Sequence, residues 1–189
     1  MKEELTKQSV KLFQQKGFSE TSIQDIVDSI GVTKGTFYYY FTSKEMLLME
    51  IHSNYIDSLL SRQKTILESK KSFREKIVSI VELIIKDIKV QGPNGRIYFR
   101  EMLNLTPDNA EIVQDKGDRF RLNIEQVLRE GVQSGEFRKK LYPPMIALAI
   151  LGVTNWSYRW FDSSGDVSVE ELANMYADFV LNGIVMEDS

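Results

Sequence analysis

The segment that decides the fold runs from residue 21 to residue 45 and reads TSIQDIVDSIGVTKGTFYYYFTSKE. Isoleucine and valine recur in its first part at positions 23, 26, 27 and 30, which is the spacing of one helix face. Gly31 then ends that pattern, and a second short helix is predicted over about 34–40, with Phe37 and Phe41 one turn apart. Two short helices joined by a glycine-containing turn are typical of a helix-turn-helix.

The outer face of the second short helix carries small and hydrogen-bonding residues. They are Thr33, Lys34, Gly35, Thr36 and Tyr39. A recognition helix places residues of this kind, near its N-terminus, against base edges in the major groove. We therefore expect this helix to bind double-stranded DNA. The alternative from the pattern alone is a tyrosine-rich packed subdomain without a DNA-binding role.

Helix signals recur along the rest of the 189-residue chain, and no convincing strand pattern is present. We predict an all-α protein with about nine helices, over about 2–16, 22–30, 34–40, 44–68, 72–90, 94–104, 107–133, 143–161 and 168–184. Capping boxes are expected at Ser72 with Glu75 and at Ser168 with Glu171, and at either Thr21 with Gln24 or Ser22 with Asp25. The predicted domains are a three-helix DNA-binding domain over 1–46 and a helical effector-binding and dimerisation domain over 47–189.

Composition excludes several classes of protein. The chain has no cysteine, one histidine (His52) and a net charge of −3. Disulfide scaffolds, thiol catalysis and His-rich metal sites are therefore not expected, and neither is a di-iron carboxylate enzyme, which needs several histidines. We predict a protein that is not an enzyme and needs no metal or cofactor, and we expect His52 to lie on a helix surface. No membrane span or signal segment is recognisable, so a cytoplasmic location is expected.

The last two predicted helices are the most apolar. Residues 145–153 read MIALAILGV and are apolar on every side, so such a helix must be covered all round. One side can face its own domain, and the other requires a partner. We expect a homodimer formed by the last two helices and their symmetry mates. The alternative is a single thick monomeric core.

Aromatic and cationic side chains in the C-terminal half are candidate contacts for a small effector. They are Tyr98, Phe99, Met102, Phe120, Arg121, Asn155, Trp156, Arg159 and Trp160. Arg159 lies one turn from Asn155 and next to two tryptophans, and an arginine beside tryptophans inside a helical bundle suits a ligand with an apolar body and an anionic end. The alternative is that Arg159 pairs with Glu101 or Asp162 while the tryptophans fill the core.

The residues of the opening segment resemble the signature of TetR-type transcriptional regulators. The resemblance covers about residues 5–50 and includes the spacing of TSIQDIV, GVTKGTFYYYF and SKE. It implies a homodimeric repressor that a small molecule releases from a palindromic operator. It also implies base and backbone contacts by Thr33, Lys34, Thr36 and Tyr39. Phosphate contacts are implied for Tyr38, for Lys44 and for Thr21 or Ser22, whereas Tyr40 and Phe41 are assigned to the core.

Two further features bear on the ligands. The segment NWSYRW at 155–160 is similar to C-terminal domains of TetR-type regulators that sense acyl-CoA thioesters, which implies an acyl-CoA effector. The alternatives are a repressor that responds to hydrophobic cations, or a ligand-binding bundle with weak DNA binding.

Residues 1–52 hold six Lys/Arg and seven Asp/Glu, so we expect only modest affinity for non-specific DNA.

Overall fold

The computed structural model describes residues 1–184, and within that range the chain is all-α. Eight α-helices are present there: α1 (Lys2–Lys16), α2 (Ile23–Asp28), α3 (Lys34–Tyr40), α4 (Lys44–Leu67), α5 (Phe73–Arg100), α6 (Pro107–Ser134), α7 (Pro143–Trp160) and α8 (Val169–Ile184). A 3-10 turn, Met102–Asn104, separates α5 from α6. The predicted fold class is confirmed. The last five residues of the predicted second domain lie outside the described residues.

The first three helices form because their apolar residues share faces. Leu5 and Phe13 of α1 are fully buried, as are Ile26 and Val27 of α2 and Phe37 of α3. α1 packs against α2, and α2 packs against α3. Gly31, at φ +68°, makes the turn between α2 and α3, and this left-handed conformation favours glycine over residues with a Cβ. The helix-turn-helix therefore folds as its sequence predicts.

Hydrogen bonds at the helix N-termini bear out the predicted caps. Ser72 and Glu75 exchange side-chain and backbone hydrogen bonds, and Ser168 and Glu171 do the same. At α2 the capping box is formed by Ser22 with Asp25. The alternative box of Thr21 with Gln24 does not form, because the Thr21 hydroxyl donates to the Gly17 carbonyl.

The predicted break at residues 92–93 is a kink rather than an end. α5 continues through it to Arg100, with non-helical angles only at Gln91 (φ −128°, ψ 22°). Pro93 explains the kink, because its ring lacks an N–H and crowds the carbonyl four residues earlier. The helix predicted over 94–104 is therefore the end of α5 followed by the 3-10 turn. The prediction of nine separate helices was wrong at this point.

The chain divides into two compact units that each contain two segments. Unit 1 comprises 1–57 and 91–115, and unit 2 comprises 58–90 and 116–189, of which 116–184 is described. The chain passes from one unit to the other within α4, α5 and α6, and in α5 the passage coincides with the kink. The functional division at residue 46 stays a prediction. Within residues 1–184 no helix combines the length and hydropathy needed to cross a membrane.

His52 lies in the core of unit 1, so the prediction of a surface position was wrong. Its side chain is fully buried in α4, with Nδ1 2.9 Å from the Leu48 carbonyl oxygen and its ring 5.5 Å from that of Tyr98. Burial lowers the pKa of His52, which favours the neutral ring. His52 is therefore a buried packing residue that hydrogen-bonds to the backbone.

Candidate nucleic-acid interface

The start of α2 is fixed by its own side chains. The Ser22 backbone N–H and hydroxyl both donate to Asp25 Oδ2 over 2.8 Å, and the Asp25 N–H donates to the Ser22 hydroxyl over 3.0 Å. These hydrogen bonds lower the pKa of Asp25, and Lys16, 3.6 Å away, contributes in the same direction. The carboxylate is therefore charged at neutral pH, and the first turn of α2 is rigid.

The start of α3 is fixed in a similar way. Thr33 is its N-cap, with extended backbone angles, and its hydroxyl accepts the Thr36 N–H over 3.3 Å. Thr33 and Thr36 hydroxyls are also 3.3 Å apart, so they share a hydrogen bond. A cap residue of this type stabilises a helix by about 1 kcal/mol, which is considerable for a seven-residue helix. The sequence therefore specifies where the recognition helix begins.

α3 has one buried face and one exposed face. Phe37 is fully buried and contacts the buried Phe41 ring, with 5.6 Å between centroids. The exposed residues are Thr33, Lys34, Gly35, Tyr38 and Tyr39, and Thr36 is half-buried. Among the aromatic residues at 37–41, Tyr39 is the most exposed, at 80%. Its ring packs edge-on against that of Tyr40, with 4.8 Å between the ring centroids. The predicted DNA-reading residues therefore lie together on the outer side of a helix that is anchored by its inner side.

Two residues assigned to phosphate contact by the resemblance lie elsewhere than expected. The Thr21 side chain is fully buried and donates to the Gly17 carbonyl, so it is not presented to a ligand outside the protein. Ser22 is exposed, and it alone of this pair remains a candidate. Lys44 directs its ammonium into the protein, where Nζ lies 2.7 Å from the Phe18 carbonyl oxygen and 2.6 Å from that of Thr21.

The prediction that Tyr40 and Phe41 both belong to the core is correct for Phe41 only. Phe41 is buried, whereas Tyr40 is half-buried. Tyr40 and Phe41, together with Met46 and Met49 of α4, line a surface groove of about 380 Å³.

The effector candidates are divided between the two units. Tyr98, Phe99 and Met102 belong to unit 1, and the other six belong to unit 2. Tyr98 and Phe120 are buried, Met102 and Asn155 are half-buried, and Phe99 is exposed. Arg121 is half-buried and forms ion pairs with Asp118 and Glu125 on its own helix.

The expectation of an arginine beside tryptophans inside the bundle was wrong. Trp156 is 59% exposed, and Trp160 and Arg159 are exposed as well. The Arg159 guanidinium lies over the Trp156 ring, 5.0 Å from its centroid, at the surface of unit 2. The inward side of this part of α7 carries Ser157 and Tyr158 instead. The tryptophans belong to an exposed apolar face, and they neither fill the core nor line an interior pocket.

That exposed face joins α7 and α8. We call it the α7–α8 face and define it by six exposed side chains, Met145, Leu148, Trp156, Trp160, Met175 and Phe179. Trp156, Met175 and Phe179, together with Gly152, line a surface groove of about 550 Å³. Exposed apolar patches of this kind are typical of protein interfaces.

Sequence reasoning missed a polar cluster inside unit 2. Asp87 of α5 is fully buried, and it accepts hydrogen bonds from Arg62 of α4 and, over 2.9 Å, from the Tyr158 hydroxyl of α7. Nearby in sequence, the buried Gln63 amide donates to the Phe120 carbonyl and accepts from Asn123. The available signal was a charged residue within the isoleucine-rich face of residues 77–88, which requires a buried partner.

Comparison with known proteins identifies both halves of the chain. Residues 5–51 match the family described as "Bacterial regulatory proteins, tetR family", and residues 70–184 match "Tetracyclin repressor-like, C-terminal domain". The transcriptional repressor KstR2 of Mycolicibacterium smegmatis is 29% identical over 97% of this chain and 90% of its own length. These relatives are transcriptional regulators and not enzymes, as the sequence predicts.

Solved structures show the same fold. The ketosteroid transcriptional regulator KstR2 of Mycobacterium tuberculosis has a TM-score of 0.90 and 26% identity, covering 98% of this chain and 95% of that one. AibR, crystallised with isovaleryl coenzyme A and operator DNA, has a TM-score of 0.85 with 20% identity, covering 94% of this chain and 96% of that one. The capped helix-turn-helix, the all-α architecture and the two family matches together lead to one conclusion: the chain belongs to the TetR family of helix-turn-helix transcriptional regulators.

Proposed function

We propose that this regulator is a homodimeric repressor that binds a palindromic operator through the outer face of α3. A small effector with an apolar body releases it. The observation that carries the proposal is the division of α3 into a fully buried inner face, at Phe37, and an exposed outer face, at Tyr38 and Tyr39. A helix held by its inner face can present the other one to base edges in the major groove.

The outer face of α3 offers the chemistry that base reading requires. Lys34 suits the paired acceptors of guanine, and the hydroxyls of Thr33, Thr36 and Tyr39 can donate or accept. Gly35 has no side chain, so the backbone can approach DNA closely. Tyr38 and Ser22 are the phosphate contacts that we retain from the family resemblance. Phosphate contacts fix the position of the helix, and the other side chains provide the sequence preference.

A mobility-shift experiment tests operator binding. The probe is the duplex that flanks the gene of this protein, and the competitor is a duplex of arbitrary sequence. We expect a shift that the competitor does not abolish, and a footprint of two protected half-sites centred about 10 base pairs apart or a multiple of that. If no flanking duplex is shifted at low salt, where electrostatic attraction is strongest, the alternative of a ligand-binding bundle with weak DNA binding is favoured.

The second part of the proposal concerns the dimer. A second copy of the chain would cover the α7–α8 face, whose exposed side chains are apolar along one side of α7 and continue on α8. Phe179, 67% exposed, lies on this face. We expect Phe179→Arg to convert a dimer to a monomer in sedimentation experiments, because the arginine would be buried without a partner. Leu103→Arg is the control, since Leu103 is 96% exposed in the 3-10 turn of unit 1. A Phe179→Arg protein that remains dimeric contradicts this interface.

The third part concerns the effector, for which we favour an acyl-CoA thioester. Support comes from the resemblance of residues 155–160 to acyl-CoA-sensing regulators. AibR, which shares the fold, was crystallised with a coenzyme A thioester, but at its level of identity it supports only the fold. Because Trp156, Arg159 and Trp160 are exposed, we assign them to the dimer face. Tyr98, Phe99, Met102, Phe120, Arg121 and Asn155 remain the effector candidates.

Ligand screening distinguishes the two effector classes. Acyl-CoA thioesters and hydrophobic cations are compared by the rise in melting temperature that they cause, because a ligand of the folded state stabilises it by mass action. Calorimetry of the best ligand, with and without operator DNA, then measures the coupling. A repressor released by its effector binds that effector more weakly when operator is present, by a factor of about 5–150. Equal affinities exclude release by that ligand.

A cytoplasmic location, with the DNA, stays our prediction.

A further inference from the structure

The ammonium group of Lys44 is enclosed by backbone acceptors. Its Nζ lies 2.7 Å from the Phe18 carbonyl oxygen, 2.6 Å from that of Thr21 and 3.4 Å from that of Ser19. An ammonium group has three N–H donors, so the three carbonyls can take all of them. Nζ also lies 4.3 Å from the centroid of the buried Phe18 ring. Lys44 is half-buried, and its ammonium group is directed toward carbonyl groups of its own chain.

The three acceptors share one short segment, the turn between α1 and α2. This turn begins at Gly17, which ends α1, and it runs to Ser22, which caps α2. Hydrogen bonds from a charged donor are about twice as strong as neutral ones. The first residue of α4 therefore fixes the segment that determines where α2 begins. α2 in turn packs against α3, so the same contact bears on the position of the recognition helix.

Glu45, the residue after Lys44, connects the start of α4 to the start of α6. The Glu45 carboxylate accepts the Thr106 backbone N–H over 3.1 Å and the Asn109 amide over 2.8 Å, at the start of α6. These residues belong to unit 1, as does Lys44. The start of α4 is thus held by contacts to two segments of unit 1, and Lys44 cannot swing outward without breaking its own hydrogen bonds.

We infer that Lys44 is a positioning residue for DNA binding: it holds the turn before α2, and so the outer face of α3, in place, and it does not contact DNA phosphate. This inference rests on the proposed function, because it assumes that α3 reads the operator. It replaces the phosphate contact that the family resemblance implies for Lys44. Burial also lowers the pKa of Lys44, which is the effect of a partly enclosed ammonium.

Two variants of Lys44 separate the two roles. Lys44→Arg keeps the charge and can still pair with a phosphate, but its planar guanidinium does not match three carbonyls that converge on one point. Lys44→Met removes the charge and keeps most of the side-chain length. Lys34→Met is the matched control, because Lys34 is exposed at the start of α3 in the proposed interface. All variants are made in the full chain.

Two measurements are made on each variant. The first is amide hydrogen exchange of residues 18–25 without DNA, which reports how firmly the turn is held. The second is the slope of log affinity against log salt for the flanking duplex and for a duplex of arbitrary sequence. We expect both Lys44 variants to exchange faster and to bind both duplexes about tenfold more weakly, because fewer molecules hold the competent arrangement. Their salt slopes should match the wild type, whereas Lys34→Met, which removes a base contact, should weaken the flanking duplex more than the arbitrary one without faster exchange.

The opposite pattern overturns the inference. If Lys44→Met lowers the salt slope by about 0.9 per protomer while its exchange is unchanged, Lys44 contacts phosphate. Unchanged exchange in both variants also overturns it, whatever their affinity. If Lys44→Met does not fold, Lys44→Arg decides, since a phosphate contact predicts wild-type binding for it. A wild-type protein that binds no DNA contradicts the proposed function, and the exchange measurement still tests whether Lys44 holds the turn.

Discussion

Two aromatic segments, one in each compact unit, both carry large aromatic residues four positions apart, but the two segments differ in which residues are buried. Residues 37–41 read FYYYF at the end of α3, and residues 156–161 read WSYRWF at the end of α7. In the first run the phenylalanines are buried and two tyrosines are exposed, as predicted. In the second run Tyr158 and Phe161 are buried and both tryptophans are exposed, although the tryptophans were expected inside the bundle.

The difference lies in what surrounds each run. In α3 the exposed residues Thr33, Lys34 and Gly35 carry no large apolar side chain, so polarity distinguishes them from Phe37, which faces the core. In α7 the preceding residues are apolar on all sides, so periodicity shows which residues share a face but not which face is buried. The all-round apolar pattern predicts that a partner covers one side of α7, but it does not identify that side. The larger, more apolar residue is therefore not always the inner one.

The largest expected effect is at the inner residue of the first run. We expect Phe37→Ala to lower the free energy of unfolding of unit 1 by about 3–5 kcal/mol, because the ring is fully buried and its removal leaves a cavity. Chemical denaturation of the full chain, followed by exchange of α1–α3 amides, measures this. Tyr38→Ala is the control, since Tyr38 is 53% exposed, and it should change stability little. Equal losses would contradict the two-faced description of α3.

The second prediction concerns the outer residue of the second run. We expect Trp156→Ala to raise the dimer dissociation constant by at least about 30-fold, because an aromatic residue near the centre of an interface commonly contributes 2 kcal/mol or more. Analytical ultracentrifugation over a dilution series measures it. Phe99→Ala is the matched control, an exposed aromatic residue of unit 1 that lies outside the α7–α8 face. A dimer dissociation constant that Trp156→Ala leaves unchanged would contradict the assignment of the exposed tryptophans to the dimer interface.

The local elements of the fold could be predicted from sequence because each depends on residues a few positions apart. Ser22 with Asp25, Ser72 with Glu75 and Ser168 with Glu171 form caps within three residues, and Gly31 provides its own turn conformation. α3 and its faces follow from the same short-range rules. The prediction at residues 92–93 failed for a related reason, since Pro93 can kink a helix or end it and the local sequence does not decide which.

The features that sequence did not reveal depend on distant partners. Lys44 meets carbonyls 23 to 26 residues away, and Asp87 meets Arg62 and Tyr158 on two other helices. A lysine at the start of a helix looks solvent-exposed in the sequence, and family resemblance added a phosphate contact. His52 is similar, because a lone histidine on a helix carries no signal of burial until its neighbours are known.

The third prediction tests the inner residue of the second run. We expect Tyr158→Phe to lower the free energy of unfolding by about 1.5–3 kcal/mol, because the buried Asp87 carboxylate loses a hydrogen bond while the ring is retained. The dimer dissociation constant should not change beyond what stability requires. Trp160→Phe is the control on the same helix. It should raise the dimer dissociation constant and have little effect on the free energy of unfolding. If Tyr158→Phe weakens the dimer more than the fold, the inward position of Tyr158 is contradicted.

The smallest expected effect is at the outer residue of the first run. Tyr39 is almost entirely exposed, so we expect Tyr39→Ala to leave the free energy of unfolding unchanged and to weaken operator binding about tenfold, by loss of a base-edge contact. Tyr39→Phe separates the hydroxyl from the ring: weak binding in both variants indicates a hydrogen bond, and weak binding in the alanine variant alone indicates packing on DNA. Competition against duplexes with single base-pair changes measures specificity, which should relax at one position in each half-site. If Tyr39→Ala instead destabilises the fold, this ring packs inward like the tyrosine of α7, and the contrast between the two runs no longer holds.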